Sequence, residues 1–227
     1  MPDGSRPRRA PSPLWLALEP QRAFGEWLSS FPATPLLERA PRGDGHPVLV
    51  LPGFMADDAS TGPLRRYLKR LGYRAHPWLL GRNLGLHESM RERLAERAVE
   101  LHARHGRKLT LVGWSLGGVY ARELAKHMPG SVRQVITLGS PFGDFERTRP
   151  APPVPATAIY SRSDGIAHHE SCRESEGPRR ENIEVVSSHC GLGVNPIVLW
   201  AIADRLAQAE GEWKPFERGG WRAYLYR

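Results

Sequence analysis

The 227-residue chain contains two cysteines, four lysines and no long apolar run. Two thiols, Cys172 and Cys190, are too few for a disulfide scaffold, so a buried core must hold the fold. No stretch approaches the roughly 18–20 apolar residues that cross a bilayer as a helix. Lysine being scarce, arginine carries most of the positive side of a formal net charge of +8. Such a bias follows more often from a GC-rich genome than from a nucleic-acid site. The basic residues form no run interleaved with aromatics, so no nucleic-acid partner is expected. Attraction to anionic surfaces through the summed field is retained. The basic start is followed by Glu19, Gln21, Arg22 and Glu26 within 14–31, which is too polar for a signal-peptide core. A cytoplasmic location is expected, or an extracytoplasmic one if Cys172 and Cys190 are bridged. No internal repeat is present.

What is present reads as one ordinary globular α/β unit, with 40% apolar and 25% charged residues. Residues 1–45 read as a tail, an amphipathic helix and a Pro/Gly-rich linker. The apolar residues of that helix, Leu14, Trp15, Leu18, Trp27, Leu28 and Phe31, suit packing on the domain or, alternatively, contact with a lipid surface. From 46 to 227, short β-branched runs alternate with helical stretches. Strands are expected at 47–51, 73–78, 109–113, 132–138, 157–161 and 183–186. Helices are expected at 61–71, 87–105, 116–128 and 195–208. This alternation implies right-handed crossovers and a mostly parallel sheet of about six strands with helices on both faces. Chemistry then belongs at the carboxyl ends of the strands.

Gly113-Trp114-Ser115-Leu116-Gly117 is a G-x-S-x-G pentapeptide. Chance also produces such matches, but this one ends a strand and opens a helix, the setting of a nucleophile elbow. A tight turn there lifts the serine hydroxyl above the sheet, and glycines two residues either side avoid collision. A serine nucleophile needs a base, and the base an orienting acid. Asp164 and His189 follow later strands in the order Ser, Asp, His, with Asp144 the rival acid. His168 and His169 lie too near the acid loop to be the base, and His102, His105 and His127 read as solvated residues near helix ends. Asp57 and Asp58 read as surface or capping residues. After the first strong strand, Leu51-Pro52-Gly53-Phe54-Met55 can offer the N–H of Phe54 opposite that of Leu116 as an oxyanion hole, with Met55 the second candidate. No zinc-ligand spacing is seen, and neither metal nor cofactor is expected.

As an ordered set, these segments resemble the α/β-hydrolase superfamily, and within it the small bacterial esterase/lipase-like serine hydrolases. The residues that carry the resemblance are Leu51–Phe54, Gly113 to Gly118, Leu138 to Phe142, Ser161 to Gly165 and Ser188 to Leu192, across about 46–210. The resemblance implies hydrolysis of a small or lipid-like carboxylic ester through an acyl-enzyme on Ser115. A thioesterase, amidase or acyltransferase on the same triad is the alternative, and a non-enzymatic ligand-binding protein of this fold a further one. Many members insert a lid between the strands ending near Leu138 and beginning near Thr157. Here that connection is short and proline-rich, so an open, shallow site with minimal or no lid is expected. Met55, Phe142 and Leu192 are the expected pocket walls and Asn83 an expected rim residue. A Cys172–Cys190 bridge would enclose the loop bearing His189.

Overall fold

The computed structural model describes residues 10–85, 87–145 and 150–227. Six strands form one sheet: β1 (Pro47–Leu51), β2 (Arg74–Pro77), β3 (Leu109–Trp114), β4 (Val132–Leu138), β5 (Ala156–Tyr160) and β6 (Arg180–Glu184). Their order is β2-β1-β3-β4-β5-β6 and every neighbouring pair is parallel. The expected sheet is therefore found, and it is parallel throughout. The last strand begins three residues earlier than its sequence suggested. Its polar residues Arg180, Glu181 and Asn182 hide it from a hydropathy reading, yet Glu181 is buried because it accepts from Arg205.

Alternation along the strands sorts the core into two layers, since successive strand side chains point to opposite faces. Val48, Val50, Val112, Ile136 and Leu138 face α3 (Thr34–Leu37), α4 (Gly62–Arg70) and α7 (Pro196–Leu206). Leu49, Leu51, Leu109, Leu111 and Val135 face α5 (Glu88–His105) and α6 (Leu116–His127). Both faces of the sheet are covered, which is why its inner strands are mostly apolar, with β1 an unbroken apolar run. Because every strand runs the same way, the segments after β1, β3, β4, β5 and β6 emerge along one edge.

Two further helices precede the sheet, α1 (Pro13–Ala17) and α2 (Glu19–Ser29). They dock on the protein in the opposite sense to a usual amphipathic helix. Glu19 is buried, while Leu14, Leu16, Phe24 and Leu28, and Phe31 just beyond α2, are exposed.

Candidate active site

Ser115 sits between β3 and α6 with φ 53° and ψ −124°, a region that a residue with a side chain seldom occupies. Its N–H donates to the Leu138 carbonyl of β4 at 2.8 Å. The turn is possible only because its neighbours lack side chains: a Cβ on Gly113 would strike Gly118, and one on Gly117 would strike the Leu51 carbonyl. The bond to Leu138 of β4 holds the strained backbone.

The acid and base meet beside it. His189 Nδ1 lies 2.7 Å from Asp164 Oδ2, and both residues are buried. With Nδ1–H donating to the carboxylate, Nε2 remains as the acceptor nitrogen. Asp164 is itself fixed, its Oδ1 accepting from the N–H groups of Ile166 and Ala167 at 2.8 and 2.7 Å. Gly139 joins this pair to the elbow. It directly follows Leu138, whose carbonyl holds Ser115, and a Cβ on it would lie 3.0 Å from Asp164 Oδ2 and 3.2 Å from His189 Nδ1. Trp114, the neighbour of Ser115, donates its indole N–H to the His189 carbonyl at 3.0 Å. Asp144 is placed elsewhere and accepts from the Ser171 hydroxyl at 2.6 Å.

The segment after β1 approaches the same turn. A Cβ on Gly53 would stand 3.1 Å from Ser115 Cβ. Met55 has φ 60°, and its N–H donates to the Asn83 carbonyl at 2.7 Å, so that donor is already used. The N–H groups of Phe54 and Leu116 donate to no acceptor among the described residues. Leu116 opens α6, where unpaired N–H groups concentrate positive potential.

Three of the expected pocket residues prove to be internal. Asn83 is fully buried, its Nδ2 donating to the Pro52 carbonyl at 2.9 Å, so it braces the Pro52–Met55 turn and forms no rim. Phe142 is buried with Val119 and Ala158 and carries the Arg122 guanidinium 3.8 Å above its ring. Leu192 is fully buried and packs beneath Gly139. Of the four, Met55 alone is exposed, next to the likewise exposed Phe54 of the same turn. Phe142 and Leu192 belong to the core, and sequence cannot separate a wall from a floor. Nor is the expected bridge formed. Cys172 and Cys190 are both free, because Cys172 is enclosed with Tyr160 and Ala167 while Cys190 lies at the surface. Burial pushes the Cys172 thiol well above its ordinary range.

Two cavities lie away from this edge. One of about 230 Å³ between α5 and α6 includes Glu88, Leu94 and Tyr120 in its lining, and one of about 280 Å³ includes Thr34, Tyr67 and Arg70. Neither touches Ser115, Asp164 or His189. Between β4 and β5 the described residues form only a short 3₁₀ turn at Phe142–Asp144. Sequence reasoning missed Gly139 and Trp114, as well as Glu19, Arg22 and Glu26 of α2, which bind the loops around Asp164 and His189.

Similar solved structures share this architecture. Lipase B of Aspergillus fumigatus superposes with a TM-score of 0.59 at 18% identity, over 74% of this chain and 53% of that one. The chain thus spans about half the length of that lipase. A monoacylglycerol lipase of Paleococcus ferrophilus gives 0.59 at 14% identity, over 74% and 96% of the two chains. An α/β serine hydrolase of Xanthomonas campestris, described as without lid, gives 0.56 at 16% identity, over 82% and 87%. No protein-family profile and no curated protein sequence matches the chain. The chain has the α/β-hydrolase fold.

Proposed function

We propose that the protein hydrolyses carboxylic esters through an acyl-enzyme on Ser115. The observation that carries this reading is the buried Asp164–His189 pair standing beside a strained serine elbow. In the proposed mechanism Ser115 Oγ attacks the ester carbonyl as His189 Nε2 takes its proton. Asp164 holds the imidazole and stabilises the cation that forms. The N–H groups of Phe54 and Leu116 receive the developing oxyanion. His189 returns the proton to the leaving alcohol, the acyl group stays on Ser115, and water activated by His189 releases the acid. The short connection after β4 and the likeness to a hydrolase described as lidless support an accessible site that takes simple esters.

Hydrolysis of p-nitrophenyl esters of graded acyl length, with Ser115→Ala as control, tests the reaction. A loss of about 10⁴-fold or more in the variant is expected. Equal rates in the two proteins would refute the mechanism.

A lipid–water interface is the proposed setting of the substrate. Within residues 10–37 the only charged side chains are Glu19, Arg22 and Glu26, and all three turn toward the protein. The outward face presents Leu14, Phe24, Trp27 and Phe31, with Phe24 59% exposed. A face of this kind on a chain of net charge +8 suits an anionic lipid surface. Co-sedimentation with phosphatidylglycerol vesicles, weakened severalfold in Phe24→Ser/Trp27→Ser, is the expected result. A stable dimer that buries this face in solution would overturn it.

A further inference from the structure

We propose that α2 is a positioning element for the acid and base loops, with Glu19 as its central residue. The inference rests on the triad reading above. Glu19 is 3% exposed and accepts three backbone N–H groups. Its Oε1 receives Gly165 at 2.8 Å and His189 at 2.9 Å, and its Oε2 receives Cys190 at 3.0 Å. Gly165 directly follows the acid, and His189 is the base. One carboxylate therefore ties the loop after β5 to the loop after β6.

The neighbours of Glu19 on the same helix face extend the grip. Arg22, one turn on, donates to the carbonyl and the hydroxyl of Ser163 at 2.5 and 2.8 Å. Glu26, a turn further, accepts from the Ser188 N–H at 2.7 Å and the Ser187 hydroxyl at 2.6 Å. Positions 19, 22 and 26 share one side of a helix of 3.6 residues per turn. Every one of these bonds reaches a residue of 163–165 or 187–190, the segments that contain Asp164 and His189.

The loops are shaped to receive the helix. A Cβ on Gly165 would stand 2.5 Å from the Trp15 carbonyl carbon of α1, and one on Gly191 would strike the Glu26 carboxylate. Buried loop N–H groups need acceptors, and loops that leave a sheet lack the ladder that supplies them. Here carboxylates supply them, and charge-assisted bonds of this kind are stronger than neutral ones. Glu19 has a positioning role: it meets the backbone of the base loop and does not take part in proton transfer.

Hydrogen–deuterium exchange of the full chain, read alongside ester kinetics, tests the proposal. In Glu19→Ala, exchange of peptides covering 163–167 and 187–191 should rise at least tenfold, with the β3 and β4 amides unchanged. The kcat for p-nitrophenyl acetate should fall 10- to 100-fold with KM within about twofold, as expected when the reacting groups lose alignment. Glu19→Gln, which keeps one acceptor oxygen, should fall between wild type and Glu19→Ala. Glu26→Ala serves if Glu19→Ala does not fold, and it should loosen 187–191 alone. Unchanged protection in both loops, or faster exchange spread evenly through the sheet, would overturn the proposal. If the wild type proves inactive on esters, the ester mechanism fails while the exchange experiment still decides the role of α2.

Discussion

Gly139→Ala probes the joint between the elbow and the acid–base pair. Gly139 has φ 52°, and an added methyl would stand 2.5 Å from Leu192 Cδ1, 3.0 Å from Asp164 Oδ2 and 3.2 Å from His189 Nδ1. Left-handed backbone costs an alanine about 1 kcal/mol, and forcing a methyl into a filled interior costs about 1–2 kcal/mol more. A total of about 2–3 kcal/mol lowers Tm by roughly 4–12 °C in a domain of this size. Leu192 can turn its methyl aside, but the Asp164 carboxyl cannot, because Ile166 and Ala167 hold its other oxygen. The imidazole must therefore move by several tenths of an ångström or more. A misplacement approaching 1 Å reduces rate on the order of 10²-fold. Stopped-assay kinetics on p-nitrophenyl butyrate, with a thermal melt of the same preparation, measure both effects. A folded Gly139→Ala protein with wild-type kcat would refute the placement of Asp164 and His189 against Gly139.

Asp164→Asn should lower kcat/KM by about 10⁴-fold, whereas Asp144→Asn should leave it within about fivefold, since Asp144 bonds Ser171 away from the base; steady-state kinetics on one ester separate them. Asn83→Ala removes the brace on the Pro52 carbonyl and should cost about 1–3 kcal/mol by denaturant melt, with a fall in kcat of about tenfold as the Phe54 donor loosens. His76 is held down to about 4 from its ordinary 6.5, through burial first and then the positive fields of His105 and Arg97. The unfolded chain thus binds a proton between about pH 6.5 and 4 that the folded chain refuses, so this contribution is present above 6.5 and is lost as pH falls through that window. His76→Asn should flatten the decline of Tm between pH 7 and 4.5, and an unaltered slope would contradict the assignment.

The sheet was legible in the sequence because its inner strands are covered on both faces and therefore carry dense apolar stretches, unbroken in Pro47–Leu51 and interrupted by Arg133, Gln134 and Thr137 in Val132–Leu138. The elbow was legible because tight geometry demands glycine at fixed offsets around Ser115. Asp164 and His189 were legible through their places after strands. Other features were hidden for physical reasons. Asn83, Phe142 and Leu192 have the composition of pocket residues, yet whether such a side chain meets solvent depends on packing across distant segments. A Cys172–Cys190 bridge needs two thiols that face each other, and sequence does not say which way a thiol points. The apolar side of the N-terminal helix suited either packing on the domain or contact with a lipid surface, and the helix packs through its polar side. The signal lay in the scarcity of charge across 10–37, where the only three charged residues fall on one helical face.

The most direct test of the central claim is active-site titration with a fluorophosphonate, read by peptide mass spectrometry. The account predicts one equivalent of label, located on Ser115, and a labelling rate that falls at least 10³-fold in His189→Ala. Label on another residue, or an undiminished rate without His189, would contradict it.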